Sequence, residues 1–461
     1  MTPAVVKGPM PAGMPHVAVA IIGAGACGLT AALALHDAGV DCVVLERDRS
    51  PSGSTALSSG LIPAASTHAQ RSQGISDTPE GFAADIQAKA HGTAAGHLVT
   101  AYCEAIGPAL DALEVRHGIE FEVLDSFLYP GHEVHRMHCV PEKTGVGLMT
   151  RLQRAMAAAE VPIVTQALVR ELWRGEGGRI TGLGYERADG QKEYLSCDVL
   201  ILACNGFGGN GAMVREFLPE MRDAIFAGHT GNDGTAISWG KQLGARLADL
   251  GGYQGHGSWA VPQGVLITWA LMMKGAIQLN ARGERFHDET QGYSEAAVQV
   301  LAQPGGVAWN VFDDALLQVA RSFPDFCEAE AAGAVKRCED VSELARLIGC
   351  DAINMDANNI YSTGAKPQLD QQKLSLPLYA VKVTGALFHT QGGLDIDARC
   401  RVLHEDGSCF ANLLAAGGAA RGVSGNAVWG YLSGNGLLSA VAGGAIAART
   451  ASQMLQQRSQ P

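Results

Sequence analysis

A glycine pattern at residues 23–28 limits what this chain can become. Gly23-Ala24-Gly25-Ala26-Cys27-Gly28 stands between an all-apolar run, Val17-Ala18-Val19-Ala20-Ile21-Ile22, and a helix-forming stretch over residues 26–38. An uninterrupted apolar run of that length reads as a strand buried on both faces of a parallel sheet. Gly39 closes the helix as a C-cap, and residues 41–46 read as a second strand. Strand, helix and strand make one right-handed βαβ unit. In such a unit the first glycine permits the tight turn, the second lets a pyrophosphate approach the backbone, and the third lets helix and strand pack closely. The helix N-terminus holds phosphate charge through free N–H groups and its dipole. Glu46, ending the second strand, is placed to accept ribose hydroxyl protons. Gly23, Gly25, Ala26, Cys27, Gly28, Glu46 and the adjacent Arg47 are therefore expected to bind a dinucleotide.

The rest of the composition narrows the class. A hydrophobic fraction of 47% against 17% charged residues excludes disorder and demands a large core. A net charge of −12 argues against nucleic acid and anionic membranes as partners. Eleven scattered cysteines without a C-x-x-C pair read as reduced thiols, and a cytoplasmic location is expected. Cys27 opens a helix, where a thiol pKa is sometimes lowered; a small buried filler is the simpler expectation. His132, His135 and His138 share a spacing of three, which would gather their imidazoles on one helix face, but no distant ligand pair accompanies them, and no metal is expected.

Along the chain, residues 1–15 lack periodicity and read as a loose tail. Residues 85–116 are helical, and residues 163–195 hold a small antiparallel set. Residues 198–203 form another buried strand. Residues 252–388 read as an inserted domain, after which residues 412–416 return as a strand and 437–450 as a helix. The expected fold class is α/β: a Rossmann-like domain over 16–251 and 389–461 with an inserted α+β domain over 252–388.

Further segments carry a family likeness. Ser54-Thr55-Ala56-Leu57-Ser58-Ser59-Gly60 is a loop of small polar residues just past the ribose acid. Ala203-Cys204-Asn205-Gly206-Phe207-Gly208 resembles an A-T-G-G-F-G strand end, and Gly231-Asn232-Asp233-Gly234 a T-G-D-G segment. Gly283-Glu284-Arg285-Phe286-His287-Asp288-Glu289 resembles G-x-R-F-x-N-E. His389-Thr390-Gln391-Gly392-Gly393-Leu394 resembles H-T-x-G-G-L. Together they resemble the flavoprotein subunits of fumarate reductase and succinate dehydrogenase, a family that also contains the 3-ketosteroid dehydrogenases. The resemblance implies FAD, a Rossmann-like FAD-binding domain, an inserted capping domain, and an active site between the two over the flavin. It assigns Ser54, Thr55, Ser58, Ser59, Gly60, Ala167, Ala203, Asn205, Gly206, Asn232 and Asp233 to the cofactor. From the C-terminal loop and helix it adds Gly418, Gly434, Asn435, Gly436 and Leu437. Members with covalent FAD carry a histidine beside the loop threonine; Ser54 stands there, so non-covalent FAD is expected.

The substrate residues depart from the dicarboxylate pattern. His256 and His389 match the family's two histidines, but Tyr293 and Tyr431 stand where its two arginines are expected. A buried carboxylate without a cationic partner costs several kcal/mol, and bidentate arginine is the usual solution. Two phenols suit a ketone instead: one donates to the carbonyl oxygen and the other acts as base on the neighbouring carbon. The 3-ketosteroid dehydrogenases resemble this arrangement. By that resemblance Tyr431 polarises the ketone, Tyr293 removes the proton, Ser433 relays it, and His389 belongs to the catalytic set. His256, Arg421 and Ser424 are expected at the substrate, with Arg421 available to one carboxylate.

The expected reaction is α,β-desaturation of a 3-oxosteroid or a smaller cyclohexanone-type ketone such as an oxocyclohexanecarboxylate. Hydride passes to flavin N5, and a separate electron acceptor or O₂ completes the cycle. The alternative is a reductase or dehydrogenase of a fumarate- or succinate-like carboxylate.

Overall fold

The computed structural model describes residues 3–125, 128–351 and 374–458. The chain forms two compact units. The first comprises Met1–Phe217, Gly228–Tyr253 and His389–Pro461, and the second Leu218–Ala227 and Gln254–Phe388.

In the first unit, the apolar run becomes the strand His16–Ile22, parallel to Cys42–Leu45 on one side and to Lys192–Leu202 on the other. Val19, Ala20 and Ile21 are fully buried; burial of each Val or Ile side chain contributes about 1.5–3 kcal/mol. The helix Ala26–Asp37 covers the sheet and packs on the helix Asn435–Arg458. Small residues make this approach possible: Ala31, Ala32, Ala442, Gly443, Gly444 and Ala447 are all buried there. The long helix exceeds its expected bounds at both ends.

Three expectations are corrected here. The antiparallel strands Ala167–Arg174 and Ile180–Arg187 are not a separate small set. They continue the main sheet, because residues 192–195 and 198–202 belong to one strand, Lys192–Leu202. Its first half pairs antiparallel with Ile180–Arg187, and its second half pairs parallel with Cys409–Ala415. Residues 1–15 are not all tail: Ala4–Lys7 forms a strand parallel to Ala167–Arg174, with Val5 opposite Leu172. Four residues are too few to show a period, and long-range pairing supplies what local pattern lacks. The segment around His132–His138 is not a helix; it runs as loop into the strand Met137–Cys139, so its imidazoles share no helix face.

The second unit is built on a sheet with seven strands among the described residues. Its centre is Leu378–Thr390, antiparallel to Val307–Asp313. Residues 218–227, outside the expected insertion, join this unit because Ile225–Phe226 pairs parallel with Ala386 and Leu387. Helices flank the sheet, among them Tyr293–Leu301, whose first residue is the expected base.

Candidate active site

The phosphate turn is rigid before any ligand is considered. A Cβ at Gly28 would collide with the Gly23 carbonyl, so only glycine lets the helix sit this close. A Cβ at Gly25 would meet only Thr55 Oγ1, at 3.5 Å, so that face of the turn is open. Gly25 is the N-cap and supplies no side-chain cap; the helix's first N–H groups are left for a ligand or for Thr55, whose Oγ1 accepts from Ala26 N at 3.0 Å. Glu46 is buried and clasps the turn: Oε2 accepts from Ala24 N and Oε1 from Asp48 N, both at 2.9 Å. The Glu46 carbonyl accepts from Ala167 N at 2.8 Å, which brings Ala167 to the same edge. Cys27 is buried and burial pushes its thiol pKa up; it is a packing residue and not an activated thiol.

A second polar nest lies beside the turn. Ser54 Oγ accepts from Asn205 Nδ2 at 3.0 Å and from Asn232 Nδ2 at 2.9 Å. Both lone pairs are thereby used, so the hydroxyl proton must find its acceptor outside this trio. Asn205 follows the strand Lys192–Leu202 and holds φ +65°, with its Oδ1 accepting from Gly206 N at 2.9 Å. Arg47 Nη1 donates to the Gly231 carbonyl at 3.2 Å and lies 3.5 Å from Asp233 Oδ2. Asp233 Oδ1 accepts from Thr235 N at 3.0 Å. Ser58 Oγ donates to the Thr55 carbonyl at 2.7 Å and accepts from Gly60 N at 3.1 Å, while Ser59 is exposed.

The third element is the glycine-rich loop of residues 417–436. Gly418 lies against Asn205, and Gly434 against Pro63. Asn435 opens the long helix and is buried, yet its Oδ1 has no partner; Ser439 Oγ, one turn on, has none either. Buried polar atoms without partners are rare and ask for a ligand or water. An open helix N-terminus, an uncommitted Ser54 proton and an orphaned Asn435 oxygen together fit a long, polar, phosphate-bearing ligand. FAD is such a ligand.

Tyr431 is buried in this loop, with its ring 5.5 Å from that of His389 at 70°. His389 is half-buried, and desolvation of its ring pushes its pKa down to about 4. The Ser433 carbonyl accepts from His132 Nε2 at 3.0 Å, which anchors the loop from the far side. Arg421 is not available for a carboxylate. Its Nε donates to Asp249 Oδ2 at 2.6 Å, and its Nη1 lies 3.5 Å from Asp395 Oδ1. Asp249 is 172 residues away in sequence, so the pairing has no local signature. Ser424 is likewise committed: its hydroxyl donates to Gln391 Oε1 and accepts from Asn435 Nδ2, both at 2.9 Å. Gln391 was missed by sequence reasoning because it occupies the variable position of H-T-x-G-G-L.

In the second unit, Tyr293 stacks on His256 with ring centroids 4.8 Å apart and 17° between planes. Trp269 and Phe388 close around the His256 ring. Burial pushes the His256 pKa down to about 3. Its Nδ1 accepts from Ser258 N at 3.1 Å, so the neutral ring carries its proton on Nε2. The segment of residues 283–289 is a strut beneath this group. Arg285 pairs with Glu289, whose Oε1 accepts from Gln278 N at 3.0 Å and whose carbonyl accepts from Trp269 Nε1 at 3.1 Å.

Four desolvated imidazoles share one pH consequence. Burial pushes His132, His138 and His389 down to about 4, and His256 to about 3, from 6.5. The folded state holds them neutral while the unfolded chain protonates near 6.5, so stability is full above that value and is lost as pH falls. The melting temperature is expected to be flat from pH 8 to 7 and to fall between pH 6.5 and 5, before carboxylates titrate. A flat profile down to pH 5 contradicts their desolvated, neutral state.

A family model described as "FAD binding domain" matches residues 18–437. The fumarate reductase (cytochrome) of Shewanella frigidimarina is 25% identical over 428 residues, covering 90% of this chain and 74% of that protein. The 4-oxocyclohexanecarboxylate 2-dehydrogenase of Sinomonas cyclohexanicum is 25% identical over 523 residues, covering 87% of each. The solved 3-ketosteroid-Δ4-(5α)-dehydrogenase of Rhodococcus jostii, in complex with 4-androstene-3,17-dione, superposes with a TM-score of 0.75 at 24% identity, covering 95% of this chain and 97% of that one. That structural likeness speaks to the fold: a parallel-stranded flavoprotein domain with a capping domain. No helix among the described residues is long and apolar enough to cross a membrane. Motif, geometry and family match agree: the chain belongs to the FAD binding domain family and is an FAD-dependent oxidoreductase similar to the fumarate reductases.

Proposed function

We propose that this enzyme desaturates a cyclic ketone next to its carbonyl. The observation that carries this reading is the absence of cationic charge on the four expected substrate side chains. His256 in one unit and His389 in the other are held neutral at pH 7 by burial, Tyr293 and Tyr431 are phenols where guanidinium groups are expected, and Arg421 is tied to Asp249 and Asp395. A dianion desolvated against such groups loses several kcal/mol, whereas a ketone needs only a hydrogen-bond donor. The names of the relatives acting on an oxocyclohexane and on a ketosteroid support the same substrate class.

In the proposed mechanism Tyr431 donates to the ketone oxygen and stabilises the charge that develops there. Tyr293 takes the proton from the adjacent carbon. A free phenol ionises only near pH ~10, so the step as proposed draws on the phenolate form of Tyr293. Bound FAD, held without a covalent link at Ser54, supplies the two-electron acceptor for the hydride. Arg421 being committed, an uncharged ring is preferred over a ring carboxylate.

The test is anaerobic flavin bleaching with a dye as terminal acceptor. A 3-oxosteroid or a substituted cyclohexanone is expected to bleach the flavin and reduce the dye, and succinate to do neither. Bleaching by succinate with no response to any ketone establishes the fumarate-type alternative that the Shewanella relative favours.

A further inference from the structure

We infer that Gln391 is a positioning residue: its amide keeps the His389 proton on Nε2, so that this nitrogen is a fixed hydrogen-bond donor toward substrate. The inference rests on the proposed placing of His389 at the substrate, and it adds the residue that sets the tautomer.

The argument follows a chain of hydrogen bonds within the first unit. Asn435 Nδ2 donates to Ser424 Oγ at 2.9 Å. Ser424 has one proton, and it goes to Gln391 Oε1 at 2.9 Å. With its oxygen turned to Ser424, the Gln391 amide turns its nitrogen to His389, and Nε2 lies 3.2 Å from the imidazole Nδ1. An amide nitrogen only donates, so Nδ1 accepts and the ring proton resides on Nε2. Ser424, Gln391 and Asn435 are all at least nine-tenths buried, so water does not compete for the bonds among these three. One contact opposes the assignment: Nδ1 also lies 3.3 Å from the Thr390 carbonyl, which would favour a proton on Nδ1. The Gln391 contact is the shorter of the two, and its amide is held in this orientation by the buried bonds to Ser424 and Asn435, so it outweighs the carbonyl.

The Nε2 end abuts Gly436, where a Cβ would lie 2.6 Å from that nitrogen. Glycine there leaves Nε2 in place at the first turn of the long helix. Because burial keeps the ring neutral, only one of its nitrogens donates, and the tautomer decides which. His256 reaches the same state by another route, through the Ser258 backbone N–H. Both histidines then present neutral donors, which matches a ketone oxygen better than a pair of carboxylates.

The test reads the tautomer directly, by ¹⁵N-histidine NMR of the FAD-loaded protein. The His389 signals are assigned by their loss in His389→Asn. Wild type is expected to show Nε2 protonated and Nδ1 bare. In Gln391→Glu the carboxylate accepts from the ring, and the proton is expected to move to Nδ1. Ketone turnover is expected to fall about 10²-fold in kcat, with flavin content unchanged. Should the buried glutamate prevent folding, Ser424→Ala and Gln391→Met carry the same test, each abolishing the Nε2 preference. A wild-type His389 protonated on Nδ1 overturns the inference, as does an Nε2 proton that persists in all folded Gln391 variants. If the tautomer shifts as described while no ketone is turned over, the positioning role stands and the ketone reading fails.

Discussion

Tyr431→Phe is expected to lower ketone turnover by about 10²–10³-fold, the usual loss for one oxyanion-directed donor, while FAD remains bound at wild-type stoichiometry. The substitution removes one oxygen from a buried ring and leaves its packing against His389 intact. Stability should therefore change little, which separates a chemical effect from a folding one. The effect should lie mainly in kcat, because the donor strengthens as negative charge grows on the oxygen. The measurement is steady-state dye reduction with the ketone identified by flavin bleaching, together with the visible spectrum of the purified variant. Turnover at the wild-type level would remove Tyr431 from the chemistry. Loss of flavin from the variant would mean that the ring supports the cofactor site instead.

The second large effect concerns a charge cluster remote in sequence from any family signature. Arg136 is 2% exposed and donates from Nε to Asp77 Oδ2 at 2.7 Å, from Nη2 to Asp77 Oδ1 at 2.9 Å, and from Nη1 to Asp85. Its guanidinium lies 5.0 Å over the Phe82 ring. Asp85 also accepts from Glu133 N at 3.0 Å, so the cluster ties residues 77–85 to the segment beside His132. Arg136→Met leaves two buried carboxylates without their cation. Breaking a buried pair in this way costs about 3–5 kcal/mol, a large share of the usual 5–15 kcal/mol of net stability. Calorimetry is expected to show the first unit melting well below the wild type. Adding Asp77→Asn and Asp85→Asn should recover part of the loss, since the uncompensated charge then disappears. A single Arg136→Met variant that melts with the wild type would show that these carboxylates find protons or water at no cost.

What the sequence made legible was local. The strand, turn and helix around Gly23–Gly28 and the acid at Glu46 lie within thirty residues, so spacing alone identifies them. The tyrosines at 293 and 431 stood out against arginines expected from the resemblance. Pairings between distant segments were opaque. Arg421 looks available in sequence and is held by Asp249 and Asp395; Ser424 looks like a substrate contact and serves Gln391. Ala4–Lys7 has no periodicity, and its strand exists only because Ala167–Arg174 offers a free edge. The seven-stranded sheet of the second unit was equally hidden, since its strands Tyr253–Ala260 and Leu378–Thr390 pair across more than a hundred residues.

The packing of Ala26–Asp37 on Asn435–Arg458 also sets an order in time. The phosphate turn leaves the ribosome well before the surface against which its helix closes, which lies some four hundred residues later. At about 5–20 residues per second, the turn waits roughly 20–80 s for that partner. During this interval Leu29, Leu33 and their neighbours lack part of their cover, and the nest that needs Asn435 is unfinished. A nascent chain stalled before residue 435 therefore leaves apolar surface of the Ala26–Asp37 helix uncovered and lacks the Asn435 side chain of the polar nest.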